Sequence, residues 1–368
     1  MQFSKSIPLF FLFSIPFLAS CGTNSKDAAE QDDKAVATPQ LSVEELIEKA
    51  KSEGRVNSVG MPNTWANWEE TWNDINTEFG LSHQDTDMSS AQEIAKFLAE
   101  KENATADIGA VGASFAPVAV DKGVTQPYKP STWDQIPEWA KDKDGHWVIG
   151  YTGAIAFIAD KQKVNKIPTS WDELKRSKYK VTIGDVSTAS QAVNGVLAAN
   201  YALGGTEADL TPALDYFTDL AKQNRIGMAD SSLKKKKKGE IEVAVVWDFN
   251  GLNYRDQINR ERFDVVIPSD GSVQSGYATI INKYAKNPHA AMLTREYILS
   301  DKGQLNLARG YARPVRIDHL TIPEDVQSRL LPQNQYINAR PIADAKAWEE
   351  SSAKLPQQWQ ERVLIHQQ

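Results

Sequence analysis

IPTSWDELKRSKYKVTIGDVSTASQAVNGVLAANY, residues 167–201, decides the architecture. Thr169 or Ser170 is placed to cap a helix that starts at Trp171, because a short oxygen-bearing side chain satisfies the first unpaired amides. Lys180-Val-Thr-Ile-Gly-Asp then reads as a strand, and Ser190 to Tyr201 as a helix of mostly small residues. A helix, a strand and a helix in immediate succession point to an α/β layer structure.

The alternation continues on both sides. Upstream, Ser42 and Glu45 form a capping-box pattern ahead of a helix, and Arg55 to Gly60 reads as a strand. Trp65 to Phe79 is expected to be helical, with Trp68, Trp72, Ile75 and Phe79 on one face. A second helix, Ala91 to Glu100, and a strand from Asp107 to Gly112 follow. A connection rich in proline and tryptophan, 127–147, leads into the apolar strand Gly150 to Ala159. Downstream, Leu210 to Gln223 and Pro288 to Leu299 read as helices, while strands are expected at Glu240 to Asp248, Phe263 to Pro268 and from Tyr277. Lys234 to Lys238 is either a solvated turn or helix end, or a docking patch for an anion.

The N-terminus addresses the compartment. Lys5 precedes an apolar run, Ser6 to Ser20, that is shorter than the roughly 20 residues needed to cross a bilayer. Residues 1–20 are therefore expected to be a signal peptide. Leu18-Ala19-Ser20-Cys21 matches a bacterial lipobox, so Cys21, the one cysteine of the chain, is the expected lipidation site. Residues 21–40 are small and polar and read as a flexible tether from the lipid to the body. A single thiol makes no internal disulfide, which leaves stability to the core.

The body beyond residue 40 has about 330 residues, more than the roughly 250–300 at which one core stops growing. Two lobes are expected. The net charge is −7 with both signs mixed, which argues against a nucleic-acid partner.

Two phrases carry a family resemblance. PTSWDELKRSKYKVTIGD resembles the element that opens the second lobe of bacterial extracellular solute-binding proteins. INKYAKNPHAAMLTREYILSDKGQLNLARGYARPVR is similar to their return segment. The order of parts covers residues 41 to about 350, and the subgroup it resembles includes ferric-iron, polyamine, phosphosugar and aminoethylphosphonate binders. The resemblance implies an α/β, two-lobed periplasmic-binding-protein fold of type II with an interlobe ligand cleft and a closing hinge. Lobe 1 is then expected at 41–158 and 272–368, and lobe 2 at 159–271. The implied partners are a small solute and the permease and ATPase of an ABC importer, with the receptor monomeric, on the periplasmic or cell-surface face, and free of any cofactor.

In such folds ligands sit beyond the carboxyl ends of strands. The candidates there are Asn63 and Trp65, then Ser114, and Thr152 at the crossover, with Gly153 beside it as ligand contact or plain hinge. Ser187, Thr188 and Ser190 put hydroxyls at a helix start, which suits an anion. Trp247 and Asp248 pair an indole with a carboxylate, which suits an amine, and Tyr277 lies at the return crossing with Arg313 as a weaker candidate. Together they favour an amine or a small zwitterion. Ferric iron fits less well, since no two tyrosines are adjacent in sequence.

Enzyme signatures do not stand out. The five histidines are scattered without paired spacing for zinc, and neither a Gly-x-Ser-x-Gly elbow nor a phosphate-binding Walker loop occurs. A binding protein is the expectation, with a secreted hydrolase built on unmarked carboxylates as the rival class.

Overall fold

A computed structural model describes residues 41–227 and 233–367. The expected signal peptide, Cys21 and the tether lie outside these residues. The chain opens with helix α1 (Val43–Glu53), where Ser42 Oγ accepts from the Glu45 amide and Glu45 accepts from the Ser42 amide. That is the reciprocal cap read from the sequence. Strand β1 (Arg55–Val59) and helix α2 (Trp68–Phe79) follow. The helix starts three residues later than expected because Ala66 and Asn67 take left-handed φ values of 44° and 59°, which a helix does not accommodate. Trp68, Trp72 and Ile75 are buried, as their spacing required.

Strand β2 (Ser82–Thr86) had no counterpart in the sequence reading. Its residues, SHQDT, are polar and alternate between exposed and half-buried positions. An edge strand needs no apolar run, so hydrophobic periodicity cannot mark it. Helix α3 (Ser90–Glu100), strand β3 (Ile108–Gly112), helix α4 (Ala116–Asp121) and strand β4 (Thr125–Gln126) lead to β5 (Trp147–Asp160). The next stretch holds α5 (Trp171–Arg176), β6 (Val181–Thr182), α6 (Ser190–Ala202), α7 (Thr211–Lys222) and β7 (Ile226–Gly227). Then come α8 (Leu233–Lys237), β8 (Val243–Trp247), α9 (Asp248–Ile258) and β9 (Phe263–Val266). The chain closes with β10 (Ser272–Asn282), α10 (Pro288–Leu299), α11 (Asp301–Arg309), β11 (Arg313–Pro314), α12 (Glu324–Gln327), β12 (Ala339–Arg340) and α13 (Ala345–Arg362).

The sheet runs β2-β1-β3-β10-β5-β8-β6-β7. Parallel groups lie at both ends, β2-β1-β3 and β8-β6-β7, joined through antiparallel β10 and β5. Every residue of β5 after Trp147 is buried. Up to Ala154 the strand pairs with β10, and from Ile155 it pairs with β8. One continuous strand therefore serves both halves of the sheet, and its unbroken apolar run reflects burial on both faces. Strand β10 starts five residues before the expected Tyr277, and Ser275 and Gly276 lie within it rather than in a loop.

The C-terminal helix departs from the expected partition. Phe217 of α7 meets Trp359 of α13 at 5.1 Å, Thr218 donates to the Arg362 carbonyl at 2.9 Å, and Arg362 pairs with Asp215 at 2.6 Å. Thus α13 packs on an element of 159–271, not only on the first half. The lysine run is not uniformly solvated either. Lys236 is fully enclosed, its Nζ 4.6 Å from the centre of the Tyr254 ring.

Candidate functional site

A cavity of about 270 Å³ lies where both ends of the sheet deliver loops. From the first half come Trp65 after β1, the β2–α3 turn with Asp87 and Ser89, and Ser90 and Glu93 of α3. From the second come Ala189, Ser190 and Gln191 at the opening of α6, and Tyr277 of β10 closes the floor. Trp65 stands edge-on to Tyr277 at 5.4 Å and to Phe249 of α9 at 6.1 Å. Tyr277 in turn stacks on Tyr151 at 5.7 Å. The aromatic wall thus joins β1, β5, β10 and α9.

The cavity is acidic. Glu93 is 1% exposed, and its Oε2 has no hydrogen-bond partner. Burial, reinforced by the charges of Asp85 and Asp87, pushes its carboxyl well above the usual range. Burial also raises Asp85 and Asp87 themselves. Asp85 is tied down, since its Oδ1 accepts from Ser58 Oγ at 2.6 Å and from the Met61 amide at 3.1 Å. Asp87 is exposed at the mouth. None of the lining residues is a lysine or arginine. Among the described residues, no three His, Cys, Asp or Glu side chains come together as metal ligands.

Two helix starts converge on the same space. At α3 the Ser89–Gln92 capping box closes the first turn, and Ser90 Oγ accepts from the Gly112 amide at 3.0 Å. At α6 the cap position is Ala189, which makes no side-chain hydrogen bond. The positive dipole end of α6 thus lies in the cavity lining at Ala189, Ser190 and Gln191, an arrangement suited to an acidic group. The two halves touch at Gly112: a Cβ there would lie 2.0 Å from Ser190 Oγ.

Of the residues named from sequence, Trp65, Ser190 and Tyr277 line this cavity. The others are placed elsewhere. Ser187 and Thr188 turn back, each donating to Asp185, at 2.6 and 3.0 Å. Asn63 is exposed and does not line the cavity. Thr152 is enclosed where β5 meets β10 and β11. Ser114 lines a separate cavity of about 400 Å³ with Trp139, Trp147 and Trp348.

The amine role given to Trp247 and Asp248 needs correction. Trp247 is fully buried, stacks on Phe249 at 6.2 Å, and spends its indole N–H on the Tyr277 hydroxyl at 3.3 Å. Asp248 is also fully buried, with Oδ1 held by the Ala154 amide at 3.0 Å and Oδ2 by the Tyr336 hydroxyl at 2.5 Å. A carboxylate with both oxygens occupied and no exposure offers nothing to a solute. Its position opens α9, and its work is to hold β5, α9 and the C-terminal stretch together.

The acid and aromatic groups are instead Asp87, Glu93 and Trp65. Asp87 and Ser89 escaped the sequence reading because the polar strand just before them was not visible, and Ser90, Glu93 and Gln191 because periodicity places a residue on a helix without saying what that face meets. One signal was available. Ser90, Glu93, Ile94 and Phe97 share the buried face of α3, and a glutamate inside an apolar stripe asks for an explanation.

The family model for bacterial extracellular solute-binding proteins matches residues 103–338. The sulfate-binding protein of Escherichia coli strain K12 is 24% identical over 170 residues, 45% of this chain and 52% of that protein. The chain thus spans about half the length of the curated relatives it matches. A periplasmic binding protein of Actinobacillus pleuropneumoniae, solved with fructose-6-phosphate, superposes with a TM-score of 0.71 at 18% identity, over 84% of this chain and 98% of that one. A ferric binding protein of Campylobacter jejuni gives 0.63 at 16%, over 83% and 98%. These likenesses show the fold, a two-lobed type II periplasmic-binding architecture, and their differing ligands leave the solute to the cleft itself. Among the described residues, no helix is long and apolar enough to cross a membrane.

Proposed function

Because the chain belongs to the bacterial extracellular solute-binding proteins, we propose that it serves an importer by capturing a small solute that carries an ammonium group. A zwitterion, such as an aminophosphonate, fits best. The observation that carries this reading is the pairing, in one cavity, of Glu93 and Asp87 with the Trp65 ring on one side and the uncapped start of α6 on the other. Carboxylates and an aromatic face suit the ammonium, and the positive end of α6 with Ser90 and Ser190 suits the acidic group. A polyamine uses the first half alone. A sulfate or phosphosugar has the helix starts in its favour, but it meets the Asp87 carboxylate with no lysine or arginine among the lining residues to offset it.

In this reading the lobes are 41–158 and 159–271, with 272 onward returning to the first, and α13 strapped across to the second. Cys21 is acylated, the receptor sits monomeric on the outer face of a membrane, and the loaded form docks on a permease whose partner hydrolyses ATP.

Thermal unfolding with putrescine, 2-aminoethylphosphonate, fructose-6-phosphate, sulfate and ferric iron tests the solute class. A ligand at 100 times its dissociation constant stabilises by about 2.7 kcal/mol. Stabilisation by either amine, absent with fructose-6-phosphate, sulfate and iron, is the expected result. Stabilisation by one of those three alone overturns the amine reading.

A further inference from the structure

We infer that Glu93 selects a cationic cargo, and that an ammonium entering the cleft takes the place of the Glu93 proton. This rests on the cavity being the solute site. The carboxyl is built into the wall rather than left on it. A Cβ at Gly60, where φ is +67°, would lie 2.2 Å from Glu93 Oε1, and one at Gly109 would lie 2.7 Å from Oε2. Two glycines, one ending β1 and one inside β3, make the space that the carboxyl fills. One bond, from the Ala110 amide, anchors it, while Oε2 is enclosed and unpartnered beside the cavity. A buried acceptor left without a donor costs stability unless something arrives to satisfy it.

The groups facing Glu93 do not supply that donor. Asp85 and Asp87 approach from β2 and its turn, and Tyr277 and Tyr151 from β10 and β5. His83 of β2 meets Ser58 Oγ at 2.8 Å and stacks on Trp72 at 3.6 Å, and burial lowers its proton affinity to about 4, so it is neutral. Burial, with Asp85 and Asp87 reinforcing it, therefore favours the acid form of Glu93 while no cation is bound. When an ammonium enters, the Glu93 O–H bond breaks, the proton leaves to solvent, and an ammonium N–H donates to the carboxylate. Charge and atoms balance with one proton out for one cation in.

The association constant should then rise up to tenfold per pH unit while the free protein holds that proton and the complex does not. Calorimetry with putrescine and 2-aminoethylphosphonate at pH 5.5, 6.5 and 7.5, in two buffers of different ionisation enthalpy, counts the protons released. The expected result is about one proton, tighter binding at higher pH, and a loss of tenfold or more with a flattened pH response in Glu93→Gln. The proton count uses the native protein, so it stands even where the variant fails to fold. Binding with no proton released and no pH response, or an unchanged Glu93→Gln, overturns the exchange while the amine cleft stands. If neither amine binds and an anion does, both the exchange and the amine reading fall.

Discussion

The hydroxyl of Tyr336 donates to Asp248 Oδ2 at 2.5 Å, while the Ala154 amide donates to Oδ1 at 3.0 Å. Asp248 opens α9 directly after β8, Ala154 is where β5 leaves β10, and Tyr336 belongs to the C-terminal stretch. One enclosed carboxylate therefore ties three distant parts of the chain at the point where the sheet changes partners. A carboxylate enclosed there sets geometry where the sheet changes partners and has no surface open to a solute.

Asp248→Asn should therefore leave amine affinity within about twofold, measured by calorimetry; a larger loss would return Asp248 to the binding surface. The substitution should instead alter the pH dependence of stability. Burial raises this carboxyl to about 6, against the opposing hydrogen bonds from Tyr336 and Ala154. The folded protein then holds the proton more tightly than the unfolded chain. The contribution of Asp248 is present below about pH 4 and is lost as pH rises through 6, on the order of 3 kcal/mol in all. Urea unfolding at pH 4.5 and 7 should show wild type losing more stability across that interval than Asp248→Asn.

Gly112→Ala should impair closure without unfolding either half. The added methyl would sit 2.0 Å from Ser190 Oγ and 2.3 Å from Ser190 Cβ, so the end of β3 and the start of α6 must separate. Amine affinity should fall by about tenfold or more, since roughly 1.4 kcal/mol per decade is a small share of such a clash. Ser190→Gly in the same chain removes both clashing atoms and should restore much of the affinity. Solution scattering with saturating putrescine should show the single variant more expanded than wild type.

Trp65→Ala should weaken amine binding by about tenfold while costing little stability. Its ring is half-buried and stands edge-on to Tyr277 and Phe249, so it contributes one face to the cavity and one to the wall. A desolvated cation–aromatic contact is worth about 1–2 kcal/mol. Trp65→Phe should recover part of the affinity, whereas equal affinity in all three proteins would remove the ring from the site.

Arg295→Met should be the most damaging change far from the cleft. This guanidinium is fully enclosed, and its donors reach Thr279 Oγ1 and the carbonyls of Tyr128, Gly145, His146 and Thr279 at 2.8–3.2 Å. It pins the proline- and tryptophan-rich connection to β10 and α10. Removing it leaves buried carbonyls unpaired, at about 1–3 kcal/mol each where water cannot enter. A loss of about 3 kcal/mol or more in chemical unfolding, with cleft affinity preserved in the folded fraction, is the expected result.

How far the sequence reached differs between the fold and the site. Helix α1, with its apolar stripe and capping box, the striped α2, and the helical runs of α6 and α10 were visible because periodicity and end signals are local. The buried strands β3, β5 and β8 were visible as apolar runs. The polar edge strand β2 was not, and with it went Asp85, Asp87 and the lead into α3. Trp247 and Asp248 looked like an amine site because they end a strand, yet nothing in the local sequence tells which way such an end faces.

What the sequence determined by itself was the order of elements, since capping, periodicity and turn chemistry act over a few residues at a time. That order, together with the resemblance carried by residues 168–185 and 281–316, implied a two-lobed receptor. Which polar groups meet a solute was decided only by tertiary structure. Asp248 is closed off by Tyr336, a partner 88 residues away, and the Glu93 carboxyl has its place beside the cavity because Gly60, just after β1, and Gly109 of β3 leave it room. Burial and the supply of hydrogen-bond partners are properties of segments that meet only in space. The same carboxylate is a structural tie in one setting and an open acceptor in the other.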